Sequence, residues 1–204
     1  MIRLPFFLWL FIVTLTSLTL SLSAGANTRY LITQAGASDC GPTALATLLH
    51  YYLDVPTTEG EMIRLTKPHP ETGTSFLGLE QAAVAKGCAA DGFRMSYETL
   101  QEQLTTYPTP VIVRTLNPEP HFSVLLAVGK DYVYLADPAL GNTLLRKHVF
   151  LRQWYIPKTE EGFVFIVTGP DSQVNEKHRW RVLQELDRQL HGLKNIRPPL
   201  ALPR

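Results

Sequence analysis

Cysteine is scarce: 204 residues contain two, Cys40 and Cys88. Two thiols cannot build the two to four bridges of a disulfide-stapled scaffold, nor a four-cysteine zinc site. An excess of either charge is also missing. Lys plus Arg total 19 against 18 for Asp plus Glu, a balance of +1. That neutrality argues against nucleic acid as a partner, which calls for a concentrated basic face. The histidines show no metal-ligand spacing and no Gly-rich phosphate loop is present, so no metal and no cofactor are expected. Apolar residues make up 45% and charged ones 18%, which excludes disorder over most of the length. An ordinary hydrophobic core has to hold the chain together.

One long apolar run is present, at the start. No charge falls between Arg3 and Arg29. About 18 apolar residues are long for a secretory segment and nearly enough to span a bilayer. Thr14, Thr16, Ser17, Thr19, Ser21 and Ser23 dilute its second half, and Ala24-Gly25-Ala26 supplies the small residues that a signal peptidase reads. Residues 1–26 are therefore expected to be a signal peptide cut near Ala26, with an uncleaved membrane anchor as the alternative. Either outcome exports residues 27–204, to the periplasm in a bacterium with two membranes. Contact with the membrane is expected only through that segment if it is uncleaved. Without Arg3 the exported body is formally neutral.

Residues 27–170 read as one α+β domain. Gly41-Pro42 opens a helix in which Leu45, Leu48, Leu49 and Tyr52 recur at helical spacing. Thr57-Thr58 caps a short helix through Leu65, and Thr74-Ser75 opens another that stops at Gly87. A further short helix is expected from Tyr97 to Leu104. After Pro110 the texture changes to strands: PVIVRTL, HFSVLLAV, YVYLAD, NTLLRKH and FVFIVTG. Helices first and strands later is an α+β pattern, not a doubly wound sheet. Residues 171–204 differ: Val182, Leu183, Leu186, Leu190 and Leu193 form an apolar stripe before a Pro-rich tail. This is an amphipathic helix that docks on the domain or binds a secretion-system or outer-membrane partner.

Chemistry concentrates where helices meet strands. Cys40 stands at a helix start, where the helix dipole and orphan N–H groups favour thiolate, the nucleophilic form. Gln34, six residues upstream, would donate to an oxyanion together with the Cys40 N–H. His121 opens HFSVLLAV and Asp137 closes YVYLAD, with Gly129-Lys130-Asp131 as the turn between. A three-residue or other odd-length loop keeps His121 and Asp137 on one face, where Asp137 would orient the imidazole; a two-residue loop would separate them. Cys88 reads as small apolar packing, and a disulfide to Cys40 would silence the nucleophile.

QAGASDCGPTALATLLHYY resembles the signature of the bacteriocin-processing, double-glycine-leader cysteine peptidases, in which Asp-Cys-Gly precedes a helix ending in Tyr-Tyr. HFSVL and ADPALG resemble that family's His and Asp-Pro-x-x-Gly blocks in the same order, and HVFLRQWY…GFVFIV looks like its last helix and strand. The resemblance implies a papain-like fold, a helical N-terminal half packed on a C-terminal antiparallel sheet. It also implies Cys40 as nucleophile, His121 as base, Asp137 as orienter and Gln34 as oxyanion donor. With no transporter fused to it, the chain is more similar to stand-alone periplasmic members, such as the peptidase of functional-amyloid (Fap-type) secretion systems. The expected function is an exported cysteine endopeptidase acting on a secreted polypeptide, at a Gly-Gly-type site. Two alternatives stay open: a papain-like binding module without proteolysis, and a papain-like amidase acting on cell-wall peptides.

Overall fold

A computed structural model describes residues 27–107 and 109–170, and beyond them Gln184. The readings of 1–26 as a leader and of 171–204 as an amphipathic helix and tail fall outside these residues, Gln184 excepted. The helix start expected at Gly41-Pro42 is α1, Cys40–Thr47, and every one of its eight residues is buried. No charged side chain lies in CGPTALAT, and its two buried hydroxyls are bonded. Thr47 Oγ1 accepts from the Ile32 N–H at 3.0 Å; Thr43 Oγ1 donates to Glu59 at 2.9 Å. Satisfied in this way, the buried hydroxyls avoid the desolvation cost of an orphaned polar group. The helix continues as a wider π turn, Leu48–Tyr52. Leu45, Leu48 and Leu49 have no exposed surface, so truncating any one of them to Ala costs about 2–5 kcal/mol.

Helices α2 (Glu59–Thr66) and α3 (Phe76–Ala85) start as expected, with Thr58 and Ser75 accepting from the N–H groups of Glu61 and Gly78. Gly87 lies just past the end of α3 at φ +78°. Strand β1, Ala89–Ser96, comes next, ahead of α4, Tyr97–Thr106. The expectation of helices first and strands later omits β1. AADGFRMS has no β-branched residue and contains Asp-Gly, so its own propensity is poor; pairing with the last strand holds it in place.

Strands β2 (Val111–Thr115), β3 (His121–Val128), β4 (Tyr132–Asp137), β5 (Gly141–Arg146) and β6 (Glu161–Thr168), with helix α5 (Lys147–Trp154) before the last, complete the domain. Lys147 and His148, read as the end of a strand, instead begin α5. The six strands form one antiparallel sheet in the order β1-β6-β2-β3-β4-β5. Its two faces close two cores. One face joins Ile112, Phe122, Val124 and Phe165 to the residues of α1, α2 and α3. The other joins Val113, Leu125, Val133 and Val164 to α4 and α5 through Tyr97, Leu100, Phe150 and Trp154. The α+β architecture stands, with a second helical layer behind the sheet.

The β3–β4 hairpin departs from the expected loop. Val128 pairs with Val133, and the Gly129 N–H donates to the Tyr132 carbonyl at 2.8 Å, leaving Lys130-Asp131 as a two-residue turn. That register alone would put His121 and Asp137 on opposite faces. A β-bulge between Leu125 and Ala127 shifts the pairing by one residue, so that Leu125 meets Leu135 and Val124 meets Ala136. The extra residue reverses the parity and returns both side chains to one face.

Candidate active site

Asp137 closes β4, and its carboxylate collects four donors. Oδ1 accepts from the N–H groups of Ala139 at 2.9 Å and Leu140 at 3.0 Å. Oδ2 accepts from the Ser123 hydroxyl at 2.8 Å. His121 Nε2 lies 3.0 Å from both oxygens. The motif ADPALG is thereby explained residue by residue. Asp137 caps the turn, the Pro138 carbonyl accepts from the Gln34 N–H at 2.9 Å, and Gly141 turns the chain into β5 at φ +87°, a conformation that favours glycine.

With Nε2 held by Asp137, the ring's other nitrogen is left for the thiol of Cys40, and the two side chains act on each other's protonation. Cys40 is 7% exposed. Burial alone would push its thiol up. The hydrogen bond to His121, the backbone N–H of Phe122, the imidazolium charge and the Gly41 N–H together outweigh burial and lower it. Burial likewise disfavours the charged imidazole, but the bonds to Asp137 and Cys40 and the charges of both raise His121 to about 10. For Asp137, burial is again the largest influence and is overcome by His121, Ser123 and the Ala139 N–H, which leave the carboxyl below its ordinary value. These directions favour the pattern thiolate, imidazolium, carboxylate over its neutral alternative. Such an array can attack a carbonyl and protonate a leaving amine.

Cys88 is also buried and free, but burial raises its thiol, only partly countered by Lys86. The two thiols therefore differ in kind. Gly41 is the point of closest packing beside Cys40. A Cβ there would stand 2.9 Å from Thr74 Cβ and 3.3 Å from the Phe122 ring, so glycine lets α1 approach β3.

Gln34 is joined to the same site by its backbone bond to Pro138. Its Nε2 donates one hydrogen to the Gly36 carbonyl at 2.9 Å, while its buried Oε1 has no partner among the described residues. Its loop is fixed by a residue in the first turn of α2. Glu59 Oε1 accepts from the Ala35 N–H at 2.8 Å and from the Thr43 hydroxyl at 2.9 Å, tying the Gln34 loop to the helix that carries Cys40. Sequence reading missed Ser123; its signal is a lone hydroxyl two residues after His121, on the same strand face. Glu59→Ala is expected to lower kcat about tenfold by loosening the loop, with the rate of Cys40 alkylation unchanged. Alkylation is a displacement that passes through no oxyanion, so parallel loss of both rates would contradict this role.

A family model described as the Peptidase C39 family matches residues 28–157. A relative from Pseudomonas fluorescens named "Probable functional amyloid protease FapD" is 32% identical over 145 residues, covering 68% of this chain and 60% of its own length. Among solved structures, a double glycine motif protease from an AMS/PCAT transporter, in complex with the leader peptide, superposes with a TM-score of 0.57. It is 26% identical, over 68% of this chain and 90% of that one. The peptidase domain of Streptococcus ComA, at 22% identity and TM-score 0.58 over 68% and 97%, shares the fold.

Proposed function

The chain belongs to the Peptidase C39 family of cysteine peptidases, and from that premise we propose that it is an exported endopeptidase cutting a secreted polypeptide in the periplasm, at a Gly-Gly-type bond. Cys40 attacks the scissile carbonyl as thiolate. The oxyanion is held by the Cys40 N–H and by the Gln34 amide. His121 gives its proton to the departing amine, which breaks the C–N bond and leaves an acyl-enzyme. Neutral again, His121 takes a proton from water, whose attack releases the acid and restores the thiolate. Asp137 keeps the ring in one orientation and tautomer throughout.

The observation that carries this reading is His121 bonded to a carboxylate with three further donors and coupled to the buried thiol of Cys40. Export and the periplasmic setting are supported by the leader pattern of residues 1–26, and a role beside a functional-amyloid system by the likeness to FapD. A secretion-system or outer-membrane partner would meet the apolar stripe of residues 182–193. The amidase alternative uses the same cysteine–histidine chemistry, so substrate decides. The full chain, incubated separately with an unfolded Gly-Gly-containing secreted polypeptide and with peptidoglycan, is expected to cut the polypeptide at one bond by mass spectrometry. Release of cell-wall fragments with the polypeptide intact would replace the peptidase reading by the amidase one.

A further inference from the structure

Four residues stand directly opposite one another across four strands: Arg94 on β1, Phe163 on β6, Arg114 on β2 and Phe122 on β3. Directly paired residues share a sheet face, here the face on which α1 and α3 lie. The row runs to the nucleophile, since the Phe122 ring abuts Gly41 and the Phe122 N–H supports the thiol. Phe76 leans on both rings, 5.6 Å from Phe122 and 6.0 Å from Phe163.

The two arginines differ. Arg94 is exposed and paired with Glu161 at 2.8 Å. Arg114 is half-buried, its guanidinium 5.7 Å from the centre of the Phe122 ring. Its Nε is buried without a hydrogen-bond partner, and no carboxylate pairs with it among the described residues. A partly desolvated guanidinium with no anion is an unfavourable arrangement, and it sits among phenylalanines one strand from the reacting thiol. A planar guanidinium near an aromatic ring is well suited to a carboxylate, which it can grip with two parallel bonds.

We infer that Arg114 is a specificity-determining residue beside this site and takes a carboxylate side chain of the substrate polypeptide, with the surrounding phenylalanines covering apolar neighbours. The inference rests on the reading of Cys40 as a peptide-cleaving nucleophile. Strands are about 4.8 Å apart and an extended peptide advances about 3.4 Å per residue. One strand spacing thus matches between one and two residues of extended peptide, so the recognised acid lies within a few residues of the scissile bond.

The test uses the full chain and quenched-fluorescent peptides built around one Gly-Gly bond, with a single Glu, Gln or Lys moved through four positions on either side. The wild-type chain should prefer Glu to Gln at one position by about ten- to a hundredfold in kcat/KM, the range of a charge-assisted hydrogen bond. Arg114→Met should bring that ratio close to one, and Arg114→Glu should favour Lys over Glu at the same position. A reversed preference cannot come from misfolding. No Glu preference at any position, or one that survives Arg114→Met, would overturn the assignment and show Arg114 to be a packing residue, while leaving the peptidase reading intact. Failure to cut any peptide of the set would count against the Gly-Gly reading and this inference together.

Discussion

Cys40→Ala is expected to abolish cleavage of the polypeptide, a loss of about a millionfold in kcat when a nucleophile of this kind is removed. Cys40→Ser should fare little better. The forces that lower the Cys40 thiol, led after the opposing effect of burial by the bond to His121, act on a group that already ionises near neutrality. A serine hydroxyl starts far above that range, so the same environment leaves it protonated. Cys88 provides the control. Its thiol is raised by burial and no element brings it to His121, so Cys88→Ala should cleave like wild type. Mass analysis of the product after a fixed incubation distinguishes the three. Equal cleavage by Cys40→Ala would place the chemistry elsewhere.

The second large effect is expected from Asp137→Asn, a fall in kcat of about 10²–10⁴-fold. The carboxylate is surrounded by donors alone: an imidazole N–H, a hydroxyl and two backbone N–H groups. An amide must turn its own N–H₂ toward at least one of them, which costs about 1–3 kcal/mol of stability. If the amide rotates to spare the backbone, it faces His121 Nε2 with a donor. The ring then carries its proton on the nitrogen facing the thiol, the wrong tautomer for a base. Removing the charge also lowers His121 from about 10 and lets the Cys40 thiol rise. The pH window in which thiolate and imidazolium coexist should therefore narrow from both sides, so that the deficit grows toward both acid and alkaline pH. A uniform loss with an unmoved pH profile would show that Asp137 is structural only.

Helix starts and turn motifs were readable because their signals are local. Cys40 before Gly-Pro, Thr58 and Ser75 as caps, and the Asp-Pro-x-x-Gly turn each state their geometry within a few residues. The pairing of His121 with Asp137 was readable only as a parity argument, and its route was different. The turn is the two-residue one, and a bulge at Leu126 corrects the face. An apolar residue inside an apolar strand carries no sign of a bulge. β1 was invisible because β6, seventy residues later, supplies its stability. Glu59 and Ser123 were missed for a related reason: each acts on a group brought near by the fold, not on its neighbours in the chain.

Glu59 and Arg114 also show how the site extends beyond its reacting atoms. Glu59 sets the loop that carries Gln34, and Arg114 stands one strand beyond the residue that abuts Gly41. The proposed oxyanion donor and nucleophile and the inferred acid-binding residue are thus linked through the start of α1 and the strand beside it.

The central claim is that Cys40 rests as a thiolate paired with the imidazolium of His121. Its most direct test is the rate of iodoacetamide alkylation of the full chain against pH, followed at each cysteine by mass spectrometry. Cys40 should react fast at pH values well below the ordinary thiol range of about 8.5, with Cys88 silent until alkaline pH. Turnover should fall near pH 10, where His121 loses its proton, while alkylation continues. A Cys40 that becomes reactive only around the ordinary thiol range, in step with Cys88, would contradict the account.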